Sequence, residues 1–235
     1  MLTSITQEQN SPLSRAIITG DAVTVRRILD EGGKPSDDDI SEAQNGEFPE
    51  VCKILVTAGW IDINEDLEHA GDLLINMVWE LKVDFVRWLL EHGANPNSGH
   101  LMADSTSALC AAAERGNFPL ATMLIEHGAH VSGTAALPGA AGRGHLEMVR
   151  FLLERGAAVD EVGMHDFGDR RKKNQEGTAL HKAAERGDIE MARVLLDQGA
   201  GIEVKDPVGR TPLARAREKG EDEMAVFLKS MGATD

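Results

Sequence analysis

Four cations stand immediately before a glycine or its equivalent, at Arg115, Arg143, Arg186 and Lys219, and a glutamate precedes three of them as Glu114, Glu185 and Glu218. Cations repeated in one register form a ladder that can grip a carboxylate-bearing partner, arginine offering a planar bidentate fork. The bland alternative is a solvated face neutralised by its own glutamates, since exposed ion pairs carry little energy. Trp79 and Glu80 make a second candidate patch. Tryptophan buries a large area with few rotors and is a favoured anchor at interfaces. The competing role for Trp79 is packing between neighbouring elements. His165 and Asp166, with Asp169 and the basic run Arg170, Arg171, Lys172, Lys173, form a third cluster. An adjacent His and Asp can share a proton or bind a metal. With no third partner in the sequence, a solvated loop is the favoured reading.

Catalytic signatures are missing: there is no Gly-rich phosphate loop, no HExxH and no GxSxG elbow. His165 and Asp166 are the only, weak, catalytic candidates, and no cofactor or metal is expected. Cys52 and Cys110 show neither CxxC spacing nor a His cluster, so they read as small buried hydrophobes rather than as a disulfide or zinc site. His69, His100, His130 and His165 fall in or beside links between elements and read as solvated.

The elements that position these residues are clearest in residues 177–200, GTALHKAAERGDIEMARVLLDQGA. Thr178 is an N-cap candidate, and Leu180, Ala183 and Ala184 give a short helix a thin apolar face. Gly187 stops it. Ile189, Met191, Ala192, Val194, Leu195 and Leu196 recur at helical spacing in a second helix that Gly199 ends. Helices this short are not stable alone, so each must bury its stripe against a neighbour. The Gly187 position recurs as Gly20, Gly46, Leu81, Gly116, Gly144, Gly187 and Gly220, at intervals of 26, 35, 35, 28, 43 and 33 residues. A second glycine follows 12 residues later in six of the seven copies, as Gly32, Gly93, Gly128, Gly156, Gly199 and Gly232; only Gly59 lies 13 away. Helical pairs of fixed length joined by variable links are therefore predicted.

The chain resembles the ankyrin-repeat family along essentially its whole length. Thr211, Pro212, Leu213 and Ala214 match the family's T-P-L-H opening, as do Thr178, Ala179, Leu180 and His181, with weaker versions at Ser107 to Cys110 and Ser11 to Ser14. The G-H-x-E-x-V segment stands at Gly144, His145, Glu147 and Val149. The G-A-x-x-N/D close stands at Gly93, Ala94 and Asn97 and at Gly156, Ala157 and Asp160. The mean interval of about 33 residues is the period of that family. The resemblance implies an all-α solenoid of stacked helix-turn-helix units, with hairpin or loop fingers and a concave groove lined by the first helix of each pair. It divides the single domain into units of about 11–35, 36–63, 64–97, 98–131, 132–162, 176–207 and 208–235, with a loop insert at 163–175. It puts Trp79 and Glu80 at groove-facing positions and explains His145 and His181 as residues common at their sites. His92 and His127 end outer helices, where a histidine is favourable. Three departures stand out. Leu81 replaces a marker glycine, so its helix runs on or its turn is strained. Asp37, Asp38 and Asp39 read as a solvated helix start. Glu221, Asp222, Glu223 and Lys229 make the last unit a polar cap.

Composition agrees. Aromatics are only 4% against 42% hydrophobic residues, which suits thin layers of Ala, Leu, Val and Met better than one deep core. A formal charge of −15 argues against general nucleic-acid or anionic-membrane binding and steers basic or mixed-charge partners toward the chain. No window reaches the roughly 18 apolar residues of a membrane span, and a cytoplasmic protein is expected, the basic run being weak evidence for the nucleus. The leading expectation is a protein–protein interaction module using its groove and fingers, with Trp79, Glu80, Glu114, Arg115, Arg143, Glu185 and Arg186 as contacts. Its rival is a small-molecule-binding protein or enzyme with a pocket on the concave face; an assembly subunit is a third reading.

Overall fold

A computed structural model describes residues 11–44, 47–64, 73–98, 107–162 and 176–234. Fourteen helices, each of seven to nine residues, make up these segments. In order they are α1 (Pro12–Ile18), α2 (Ala22–Asp30), α3 (Asp37–Gln44), α4 (Pro49–Thr57), α5 (Leu73–Trp79), α6 (Val83–Glu91) and α7 (Ala108–Glu114). There follow α8 (Phe118–Glu126), α9 (Ala136–Arg143), α10 (Leu146–Glu154), α11 (Ala179–Glu185), α12 (Ile189–Asp197), α13 (Pro212–Lys219) and α14 (Asp222–Ser230). Odd and even helices pack as seven pairs. The odd helices α5, α7, α9, α11 and α13 also pack successively on one another, and among the even helices α2 packs on α4 and α6 on α8.

Local chemistry sets the helix starts. Ser11, Asp21, Ser107, Asn117, Asp188 and Thr211 each accept a hydrogen bond from the backbone N–H three residues on, satisfying donors that a helix start leaves without partners. At α11 the cap is reciprocal: Thr178 and His181 each accept from the other's backbone N–H. Stability then comes from small side chains in contact. Ala108, Ala111, Ala112 and Ala113 of α7, Ala136, Ala140 and Ala141 of α9, and Ala179, Ala183 and Ala184 of α11 are at most 1% exposed. Small residues let neighbouring helices approach closely, which is why so few aromatics suffice.

From Asn64 onward, a side chain in the link reaches the end of the helix pair that follows it. Asn64 donates to the Gly93 carbonyl (3.1 Å) and accepts from the Asn95 N–H (2.7 Å). Asn97 does the same with Gly128 (2.9 Å) and His130 (2.8 Å), and Ser132 with Gly156 and Ala158. Asp160 accepts from the Gly201 N–H (2.9 Å). These contacts use backbone groups that the helix ends leave open.

Two places depart from the expectations, and at Leu81 the second of the two expected outcomes, a strained turn, is found. Asp39 is not solvated: it is buried, accepts from the Ser36 N–H at 3.0 Å, and its own N–H reaches Ser36 Oγ, a reciprocal cap. Ala135 has φ +60 although nothing in the sequence marks it. Glu161 explains it, taking the N–H groups of both Gly133 (2.8 Å) and Ala135 (2.5 Å) and so fixing the turn. At Leu81 the helix does not run on. It ends at Trp79, and Leu81 adopts φ +57, a left-handed conformation that costs a side-chain-bearing residue about 1–2 kcal/mol. Leu81 is 42% exposed, so little packing offsets that cost. Leu81→Gly is therefore expected to stabilise the fold by about 1 kcal/mol, read as a higher urea midpoint; a lower midpoint would mean that the Leu81 contacts outweigh the strain.

Candidate functional site

The last residues of the odd helices form a row with one rule. Arg115, Arg143 and Arg186 each lean back onto the preceding unit, onto the residue two before that unit's marker. Arg115 lies over the Trp79 ring, 5.2 Å from its centroid. Arg143 places Nη2 at 2.9 Å and Nε at 3.2 Å from Glu114 Oε2. Arg186 donates to the Gly142 carbonyl at 3.3 Å, and a Cβ at Gly144 would meet its Nη2 at 2.5 Å. Arg115, Arg143, Arg186 and Lys219 are all exposed.

The glutamates beside them do not neutralise the row evenly. Glu114, with a side chain only 9% exposed, is held by Arg143. Glu185 turns toward Arg215. Glu218 pairs with Arg210 at 2.8 Å. No described carboxylate makes an ion pair with Arg115, Arg186 or Lys219. Trp79 is half-buried against the core, with its ring under Arg115, so packing and presentation of a cation coexist there. Glu80 is exposed.

Arg215 was not marked by any motif, yet it is fully buried. Its guanidinium donates to Asp206 Oδ2 at 2.7 Å, to Glu185 and to the Glu176 carbonyl. Asp206 also accepts from the Arg210 backbone N–H (2.8 Å) and its Nε (2.9 Å). Burial pushes the Asp206 carboxyl up, but the Arg210 N–H and the Arg215 and Arg210 guanidiniums outweigh it and hold it down at about 2. The available sequence signal was the residue five before the marker, which is Ala111, Gly139 and Lys182 in the three preceding units and an arginine in this one.

The histidines that the structure describes serve the scaffold. His181 is fully buried: its Nδ1 accepts from the Thr178 N–H (3.2 Å), and its Nε2 donates to the Arg210 carbonyl (2.9 Å). Burial lowers its pKa below the ordinary histidine value. His145 Nε2 donates to the Glu114 carbonyl at 3.0 Å, and His92 and His127 bond the carbonyls of Trp88 and Met123. Both thiols are free and buried; burial pushes Cys52 up to about 12 and Cys110 well above its usual value, which leaves them protonated and unreactive. His69, His100, His165, Asp166, Asp169 and the basic run at 170–173 lie outside the described residues.

A hollow of about 800 Å³ lies among the even helices rather than along the row, walled by Val23, Arg26, Lys53, Ile54, Trp88 and His92. It is wide open, and Trp79 and Arg115 do not line it. Trp88 is half-buried at this hollow with His92 stacked on it at 4.0 Å.

A family model described as "Ankyrin repeats (3 copies)" matches residues 74–163 and 162–234. Among solved structures, the crystal structure of the human ASB11 ankyrin repeat domain is similar, with a TM-score of 0.69 and 22% identity over 96% of this chain and 100% of that chain. No curated protein matches the chain.

Proposed function

The chain belongs to the ankyrin-repeat family, and from that premise we propose that it binds a protein partner along the row of odd-helix ends and the adjoining links, the face that lines the groove in this family. The observation that carries the proposal is the row itself: Arg115, Arg143, Arg186 and Lys219 are exposed and in register over four successive units. Exposed arginine and a half-buried tryptophan on a rigid scaffold are the side chains that anchor interfaces. The seven helix pairs bury their apolar faces against each other, which makes the scaffold rigid. The same proposal puts the protein in the cytoplasm, which the two free buried thiols support.

Affinity capture with the intact chain tests it through two variants. Arg143→Glu combined with Trp79→Ala alters the row, whereas Val23→Glu combined with Val226→Glu alters the even helices, where both valines are exposed. Capture of specific proteins is expected to fall about tenfold or more with the first pair and to persist with the second. Equal capture by wild type and the first pair would remove the row from the account.

A further inference from the structure

We propose that the row accepts an extended acidic segment of the partner, its carboxylates meeting Arg115, Arg186 and Lys219; this deepens the groove reading above and rests on it. The chemistry follows from what each cation already touches. Arg115 has its guanidinium carbon 5.2 Å from the centre of the Trp79 ring, a contact that does not cancel its charge, and no described carboxylate pairs with it. Arg186 gives one N–H to the Gly142 carbonyl at the end of α9, and a guanidinium has five. Lys219 is exposed and without a described carboxylate. The one arginine whose charge is cancelled in the row is Arg143, on Glu114.

The other two glutamates of the row, Glu185 and Glu218, are drawn off by Arg215 and Arg210. Three of four rungs thus stay electropositive on a chain of formal charge −15. The net charge opposes the approach of an acidic segment elsewhere, so these three cations act locally, selecting where its carboxylates settle rather than drawing it in from a distance.

Spacing narrows the ligand further. Packed helices lie about 8–10 Å apart, and an extended chain rises about 3.3 Å per residue. Roughly three ligand residues therefore span each unit, and two units separate Arg115 from Arg186. A segment with acidic residues about six and about nine positions after a first one, or the same pattern reversed, matches the three open cations.

Fluorescence anisotropy with synthetic peptides tests this. The probes are a neutral extended peptide carrying glutamates at that spacing, its reversed twin, glutamine and lysine versions, and a single-stranded oligonucleotide. A glutamate peptide is expected to bind, to weaken at least about tenfold in the exposed-site triple variant Arg115→Ser/Arg186→Ser/Lys219→Ser, and to weaken as ionic strength rises through the range that screens exposed charges. The control pair Val23→Ser/Val226→Ser, at exposed positions of the even helices, is expected to leave affinity within about twofold. Circular dichroism checks that each variant is folded. No binding of either glutamate peptide, equal binding of the glutamine or lysine version, or equally tight oligonucleotide binding lost in the same triple variant would overturn the acidic-segment assignment. Hydrogen exchange on whichever probe binds separates that failure from failure of the groove. Protection along α5, α7, α9, α11 and α13 keeps the groove, while protection confined to the even helices removes it as well.

Discussion

Replacing Arg215 with methionine is expected to destabilise the C-terminal units by about 3–5 kcal/mol, the usual cost of removing one partner from a buried ion pair. Arg215 and Asp206 both have fully buried side chains, and the same guanidinium satisfies Glu185 and the Glu176 carbonyl. Without it Asp206 keeps only Arg210 as a cationic partner among the described residues. Urea unfolding followed by circular dichroism reads the loss, and hydrogen exchange should show it first in α11 to α14, because a solenoid couples mainly to nearest neighbours. Arg215→Met with Asp206→Leu is expected to recover much of the stability, since the penalty lies in the unpaired charge. A single substitution that leaves the urea midpoint unchanged would show that the network contributes nothing net.

The same network gives the fold an acid limb. Asp206 titrates at about 2 when folded against an ordinary 3.8, so its contribution is complete above the ordinary value and is lost as pH falls toward 2. His181 acts in a higher window. Its folded pKa lies below the ordinary 6.5, so the unfolded chain takes up the proton first, and stability is complete above that value and declines below it. Arg215, Asp206 and Glu185 are the charged groups that act on it. In Arg215→Met the Asp206 step should move to higher pH, because one of the cations holding the carboxylate down is gone.

Leu137→Ala should cost about 2–5 kcal/mol and also split the unfolding transition. Leu137 is fully buried in α9, the helix packed between α7 and α11. A cavity there weakens the middle of a linear stack, so the two ends lose their coupling. The tryptophans make the split visible, since Trp60, Trp79 and Trp88 all precede α7. Their fluorescence reports the N-terminal units, while circular dichroism reports every helix. The two transitions are expected to diverge in the variant; coincident transitions at a lower midpoint would show that the stack still unfolds as one.

The repeat is legible in the chain alone. Glycines 12 residues apart, Ser/Thr/Asp/Asn caps and apolar residues at helical spacing act within a few residues of each other, so Thr178, Gly187 and Gly199 could be assigned without knowing their neighbours. It also placed Arg115, Arg143, Arg186 and Lys219 in one register, because stacking equal units aligns equal positions. Which of those cations are neutralised, by contrast, emerges only when the units stack. Glu114, Glu185 and Glu218 look alike in the chain, yet Glu114 is taken by the following unit's Arg143, Glu185 by a buried Arg215 thirty positions on, and Glu218 by Arg210 in the preceding link. The strain at Ala135 likewise depends on Glu161 arriving from 26 residues away, whereas the Ser36–Asp39 cap is a local contact three residues apart. Helix formation is set by contacts a turn away, whereas neutralising a charge depends on which side chain from another unit reaches it first, and that geometry exists only once the units are stacked.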